Sequence, residues 1–333
     1  MRRTIPNRPQ VKAEKSRKKM HAAYRISGHE TFPFRYTWLP KAVRGLTKNP
    51  RLFSDEDEAM VALGVGKNMV RSIRFWAQAT GVSKNAGKTG THNLTDLGIA
   101  LLGEGGLDAF LEDVRTLWLI HWNLSTDRQY PLLAWDYLLN RWQEPELVPS
   151  QALKVLAKEV VRHEETFSPA TLEHHLSTFL HTYVPTRGRK GEVQEDNLDC
   201  PLVELALLQK VGEQELDRTS GRRESVYVFR REEKRDITPE LFAYCLNDFW
   251  NMNHENEGTL SFRDVAHGHG SPGQIFKLPE DDIRERLEAL DRQTTGYFVY
   301  SESTTVPQVR RKGNLPSITM LKEVYAMETQ SGR

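Results

Sequence analysis

Polar and apolar positions are sorted most sharply between residues 66 and 80, GKNMVRSIRFWAQAT. Lys67, Arg71, Arg74 and Gln78 recur at i, i+4, i+7 and i+11, while Met69, Val70, Ile73, Trp76 and Ala77 take the opposite side. That spacing predicts an amphipathic helix with a basic outer face, stopped at Gly81. Upstream, SDEDEAMVALG predicts a second helix, with Ser54 as cap, Asp57 three residues on and carboxylates in the first turn. It ends in the short turn Gly64-Val65-Gly66. An earlier helix is predicted over 33–45, with Phe34, Trp38, Val43 and Leu46 inward and a bend or break at Pro40. Downstream, VSKNAGKTGTHNL (82–94) has the Gly, Asn, Thr and Lys content of a two-stranded hairpin with a basic tip, and Thr95 then caps a new helix. Helix, tight turn, helix and hairpin predict a winged helix-turn-helix module over 24–104, whose second helix enters the major groove.

The rest of the chain predicts a mainly α protein with small β-hairpins, an α+β fold. Residues 105–184 form a helical, aromatic-rich middle. Trp118, Trp122, Trp135, Tyr137 and Trp142 recur at helical spacing over 107–142, which reads as core rather than as a ligand platform. Residues 144–150 connect to helices over 153–161 and 169–184. Residues 185–235 hold a polar break (185–197), a helix expected from CPLVELALLQKV, and a strand at 226–230 paired with an arm near 213–216. Residues 236–315 repeat the first module's grammar more faintly, with helices over 239–250, 260–267 and 281–290 and a hairpin of 297–300 and 306–311. The third of these helices carries Glu280, Asp281, Asp282, Glu285 and Glu288, which opposes phosphate contact, and basic residues return only at Arg310, Arg311 and Lys312. Residues 316–333 are a C-terminal segment. Residues 1–23 are a basic tail with too little apolar surface to order itself, since positions 1–20 hold eight Lys/Arg and one Glu.

Charge changes this picture locally. The chain is nearly balanced, with 46 Lys+Arg against 45 Asp+Glu, yet 64–95 holds five basic side chains and no carboxylate. A one-sided window in a balanced chain is a footprint for a polyanion. Lys67 and Arg71 are expected on phosphates or base edges and Asn68 on adenine, with Lys84 and Lys88 on the flanking backbone and Arg74, Gln78 and His92 completing the surface. The partner expected is double-stranded DNA. No stretch approaches the roughly 20 apolar residues of a membrane span, no secretory apolar core opens the chain, and the two cysteines lack zinc spacing. A soluble cytoplasmic protein is expected.

The densest polar cluster is Ser27-Gly28-His29-Glu30-Thr31-Phe32-Pro33-Phe34-Arg35. His29, Glu30 and Arg35 have the chemistry of a general base, a metal ligand and a phosphate clamp. The same residues also suit a structural cap: Ser27 and Glu30 have capping-box spacing, and Thr31 precedes a Pro. Glu173, His174, His175 and His181 lie on or near one helix, with His174 and His181 about 10 Å apart along it, too far for one metal. They read as solvent-facing. Glu195, Asp196 and Asp199 offer oxygen ligands for Mg²⁺. His267-Gly268-His269-Gly270-Ser271-Pro272-Gly273 allows close backbone approach but matches no phosphate-loop or dinucleotide fingerprint.

The string ISGHETFPFR (26–35) carries a resemblance. With Trp38-Leu39, GVGKNMV (64–70), Ile73-Arg74, Leu94-Thr95, Leu97-Gly98, LWLIHW (117–122), LDCPL (198–202) and GSPG (270–273), the chain resembles an uncharacterised bacterial domain family found with DNA phosphorothioation machinery. The likeness covers roughly 24–324 and leaves out the basic tail. Pro40 departs from the helix former expected there. The resemblance implies DNA as substrate, strand nicking by a metal-dependent endonuclease using Mg²⁺ or Mn²⁺, a role in antiviral defence, and ATPase and sulfur-transfer components as partners. It draws His29, Glu30 and Arg35 forward as candidate catalytic residues. The alternatives are a non-catalytic DNA-binding or adaptor subunit that recruits such partners, and, less suited to the aromatic middle, a transcription regulator.

Overall fold

In the computed structural model the described residues are 23–87, 90–163, 165–185, 200–216, 221–302 and 306–326. They form a mainly helical protein with three small antiparallel sheets. The buried apolar side chains make one continuous cluster that runs through all of its parts.

Helix α1 spans Trp38–Lys48, α2 Glu56–Leu63 and α3 Lys67–Ala79. The first helix starts later than residue 33, so Pro40 falls in its first turn, where a missing N–H costs nothing. The capping box expected at Ser27 and Glu30 is not formed. Glu30 and Thr31 instead take left-handed turn conformations (φ 49° and 65°), and the α1 cap position is Thr37, whose side chain makes no capping bond. On α2 the cap is Asp55 rather than Ser54, accepting from the N–H groups of Asp57 and Glu58. Gly64, at φ 63°, ends that helix in the left-handed conformation open to glycine.

Strands β1 (Ser83–Asn85) and β2 (His92–Leu94) pair antiparallel, with Lys84 opposite Asn93. The His92 N–H donates to the Pro50 carbonyl (2.8 Å), tying the hairpin to the loop before α2. Thr95 caps α4 (Asp96–Leu102) by accepting from the Gly98 N–H.

The middle holds α5 (Val114–Thr126), α6 (Leu133–Asn140), α7 (Pro149–Arg162) and α8 (Pro169–Tyr183). Trp118, Trp122, Trp135 and Trp142 are all buried. Among them a polar relay is fully used. Trp135 Nε1 donates to the Tyr183 hydroxyl (2.9 Å), which donates to His121 Nδ1 (2.7 Å), while His121 Nε2 donates to the Ile275 carbonyl (3.0 Å). The helix expected from CPLVELALLQKV is not there. Pro201–Leu205 is one 3-10 turn, closed by Ala206 at φ 47°. The chain then becomes β3 (Leu208–Glu215), paired with β4 (Arg223–Phe229). Cross-strand pairing with a β-branched, aromatic partner overrides a helical pattern only a few residues long.

The last part runs α9 (Pro239–Asn253), β5 (Thr259–Ser261), α10 (Phe262–His267), α11 (Pro272–Ile275), α12 (Glu280–Gln293), β6 (Phe298–Ser301), β7 (Gln308–Arg311) and α13 (Ser317–Tyr325). Its sheet has the order β5-β7-β6. Leu260 and Ser261, expected in a helix, lie in β5, and Ser261 with Asp264 forms a capping box that starts α10 one residue later. On α12, Asp282 is buried against Arg286 rather than facing solvent. Arg115 on α5 donates to the Val324 carbonyl (3.0 Å), which locks α13 in place.

Candidate nucleic-acid interface

On α3, Val70, Ser72, Ile73, Phe75, Trp76 and Ala77 are buried; Lys67 and Asn68 are exposed; Arg71, Arg74 and Gln78 are half-buried. The opposed faces expected from spacing are therefore present. The outer face is not bare cation, however. One carboxylate from α2, Glu56, bridges Lys67 Nζ (2.8 Å) and Arg71 Nε (2.6 Å). Hydrogen bonds from Arg71 and then Lys67 hold the Glu56 carboxyl down to about 2. Glu30 adds a second negative charge within electrostatic reach of Arg71. Both carboxylates come from outside 64–95, which is why a window count shows none.

Further along the same face the field stays positive. Arg74 makes no ion pair with a carboxylate among the described residues, and its charge acts on both Arg25 and His92. Arg25 was not legible in the α3 pattern. Its backbone bridges to Leu132, and its guanidinium lies 4.0 Å from the Phe75 ring centroid and donates to Gln78 Oε1 (3.3 Å). Burial, opposed by Asp127 and reinforced by Arg74, lowers Arg25 to about 10. The other end of the Gln78 amide faces His92 Nδ1 at 3.4 Å. Gln78 is thus spent on internal partners. The His92 ring is buried against Phe53, and burial followed by Arg74 lowers its pKa. Lys84 is exposed on β1, whereas Lys88 lies outside the described residues.

The His29, Glu30 and Arg35 group is not assembled. No hydrogen bond or ion pair joins these three among the described residues. His29 is only 3 % exposed. Its Nε2 lies 3.3 Å from His175 Nδ1, and His175 Nε2 accepts from the Ala134 N–H (3.1 Å). His29 Nδ1 lies 3.1 Å from Thr31 N and 3.3 Å from Thr178 Oγ1. Burial pulls this ring down to about 4, so it stays neutral inside the protein. Gly28, at φ 102°, passes so close to Phe75 that an added Cβ would sit 3.0 Å from that ring. The loop is therefore pinned between α3 and α8. Arg35 points away, its guanidinium 5.6 Å from the Trp38 ring centroid. On α8, His174 and His181 are exposed as expected, but His175 is fully buried.

No three His, Cys, Asp or Glu side chains come together as a metal-ligating group among the described residues. Glu195, Asp196 and Asp199 lie outside those residues. Among the described residues no helix is long and apolar enough to cross a membrane.

The fold resembles two solved structures. A crystal structure of magnesium-bound SspB matches with a TM-score of 0.80 and 27% identity, over 95% of this chain and 92% of that one. A second SspB crystal structure matches with a TM-score of 0.79 and 26% identity, over 95% and 93%. No curated protein matches the sequence. The chain belongs to the family described as "Protein of unknown function (DUF4007)", whose profile matches residues 26–325.

Proposed function

We propose that this protein binds double-stranded DNA through α3 and the β1–β2 hairpin and nicks one strand as part of a DNA phosphorothioation and defence system. The observation that carries the DNA reading is the shared outward direction of Lys67, Arg71 and Arg74, with a packed apolar face behind them. In this reading α1–α3 and the hairpin act as a winged helix. Lys67, Arg71, Arg74, Arg25 and Lys84 neutralise phosphates, and Asn68, exposed on the first turn of α3, faces base edges. The likeness to SspB and the sequence resemblance support the phosphorothioation context. They also support Mg²⁺ or Mn²⁺ as the ion of the reaction, with ATPase and sulfur-transfer proteins as partners. In this reading α9, α10 and α12 with β5, β6 and β7 act as a second, winged-helix-like module interrupted by α11, whose acidic α12 face suits a protein neighbour rather than phosphate.

The test is relaxation of supercoiled plasmid by purified protein with Mg²⁺ or Mn²⁺, with and without partner proteins and chelator, run beside a DNA-binding titration. Open circles that accumulate only with intact protein support the reading. Binding without nicking under every condition reduces the protein to an adaptor. Absence of both removes DNA from its function.

A further inference from the structure

The basic content of the N-terminal part is not confined to α3. Residues 31–54 hold five Lys/Arg (Arg35, Lys41, Arg44, Lys48 and Arg51) and no carboxylate, a window as one-sided as 64–95. Three of the five are exposed, and they form a stripe. Arg44 and Lys48 lie one turn apart on α1, opposite the side that buries Trp38, Leu39, Ala42, Val43 and Leu46, and Arg51 follows in the loop after the helix. The other two are engaged: Lys41 Nζ donates to the Leu63 carbonyl at the end of α2 (3.0 Å), and the Arg35 guanidinium lies beside the Trp38 ring. Unlike Lys67 and Arg71, the three exposed cations are not neutralised. None of their side chains makes an ion pair or a hydrogen bond among the described residues. The carboxylates next in sequence are committed elsewhere or stand apart. Asp55 caps α2 and Glu56 pairs with Lys67 and Arg71, while Asp57 and Glu58 are exposed on α2 and bond to none of the three.

The stripe runs up to the hairpin. The Pro50 carbonyl, beside Arg51, accepts the His92 N–H of β2 (2.8 Å), while Gln78 of α3 faces the ring of the same histidine (3.4 Å). At the hairpin turn Gly90 lies against Ser54, where an added Cβ would be 3.5 Å from the Ser54 Cβ. Strand β2 is therefore the seam between α3 and the end of α1. Composition decides what the stripe fits. A protein partner needs an apolar centre that can be desolvated, and lysine is depleted there. No large apolar side chain is exposed over 38–54, and the exposed neighbours of the three cations are Thr47, Asn49 and Pro50. A phosphate backbone needs only repeated, unpaired cations, and a duplex supplies one charge about every 1.7 Å of its axis.

We propose that Arg44, Lys48 and Arg51 form a second phosphate-contact surface, which takes duplex backbone flanking the stretch held by α3 and the β1–β2 hairpin. The contact is electrostatic and reads no bases. It lengthens the footprint past the hairpin and adds three cations that no carboxylate has to release first. The surface rests on the DNA reading above, but not on α3 being the face that binds.

The test is the salt dependence of full-length protein binding to a labelled duplex several helical turns long, with circular dichroism melts as a check on folding. Arg44→Gln/Lys48→Gln/Arg51→Gln is compared with Arg71→Ala/Arg74→Ala and with Lys154→Gln/Lys158→Gln/Arg162→Gln, which removes the same charge from exposed positions on α7. The stripe variant is expected to flatten the slope of log affinity against log salt by about 2.7, so that raising salt from about 50 to 200 mM weakens the wild type about 40-fold more than the variant. The α7 variant is expected to keep the wild-type slope. A stripe variant with the wild-type slope overturns the surface, and flattening by Arg71→Ala/Arg74→Ala in the same assay then leaves the α3 reading standing. An α7 variant that flattens the slope as much as the stripe variant also overturns it, because net charge alone then explains the effect. Loss of binding to poly-glutamate with the duplex slope unchanged assigns the stripe to an acidic protein instead. If the stripe variant flattens the slope and the α3 variant does not, the surface stands and the α3 reading falls. A wild type that binds no duplex removes both.

Discussion

Glu56→Gln is the most informative single change, because it alters the charge of the proposed DNA face without touching a cation. Glu56 now sits where a phosphate would, 2.8 Å from Lys67 Nζ and 2.6 Å from Arg71 Nε. On binding, DNA must displace it. Removing one negative charge releases about one cation equivalent for phosphate, and each phosphate neutralised changes the slope of log affinity against log salt by about −0.9. Raising salt fourfold, from about 50 to 200 mM, then costs the variant about 3.5-fold more affinity than it costs the wild type. At low salt the variant binds tighter. Arg71→Ala and Arg74→Ala move the slope the other way, by about 0.9 each. The assay is fluorescence anisotropy of a short labelled duplex over a NaCl series at constant pH. Glu56 does not confuse this test by titrating. Its carboxyl is held at about 2, so its charge persists from the ordinary carboxylate range upward and is lost only as pH falls toward 2. If Glu56→Gln leaves the slope unchanged while Arg74→Ala flattens it, Glu56 does not occupy a phosphate position. If neither changes the slope, DNA does not sit on α3.

The remaining predictions concern stability and the division of labour on the face. His29 and His121 are both held near 4 in the folded state against 6.5 as free rings, so the unfolded chain takes up their protons first and stability drains away as pH falls from about 6.5 toward 4. At pH 5 each costs about 2 kcal/mol relative to neutral pH, and urea midpoints that coincide at pH 7.5 and 5.0 would contradict the buried, neutral assignment. Gly28→Ala combines a left-handed backbone with a 3.0 Å approach to Phe75 and is expected to lower stability by about 1–3 kcal/mol, read as a shifted urea midpoint; an unshifted midpoint means the loop is not pinned there. Lys84→Ala should weaken binding equally for all duplex sequences, whereas Asn68→Ala should change sequence preference, and a selection on random duplexes distinguishes them. Gln78→Ala should reduce affinity through Arg25, so that it adds nothing to Arg25→Ala in a double-mutant cycle.

Much of the fold was legible where one local signal dominated. The 3.6-residue spacing of α3, the glycine stop at Gly64 and the buried Trp stripe of α5 and α6 each followed from sequence alone. The failures occurred where a tertiary partner outweighed a short pattern. The run LLQKV (207–211) looks helical until β4 offers a strand to pair with, and the loop 27–36 looks like a helix start until His29 finds His175 in the core. Backbone conformations such as those of Glu30 and Thr31 have no signature in a string that also reads as a capping box.

The site was harder to read than the fold, and for one reason. Charge along a chain is not charge on a surface. Residues 64–95 contain no carboxylate, yet Glu56 is the nearest neighbour of two of the five cations. The reverse holds at the other end of the molecule. Arg311 in the expected basic trio is buried over Trp250 and bonded to Asn247, so the hairpin β6–β7 loses one of its three charges, while Asp282 withdraws from the acidic face of α12 to pair with Arg286. The face of α3 differs from both, because Arg74 makes no ion pair with a carboxylate among the described residues. One cation of this face is also invisible in the α3 pattern: Arg25 reaches it because its backbone lies along Leu132 and carries the guanidinium over Phe75 to Gln78.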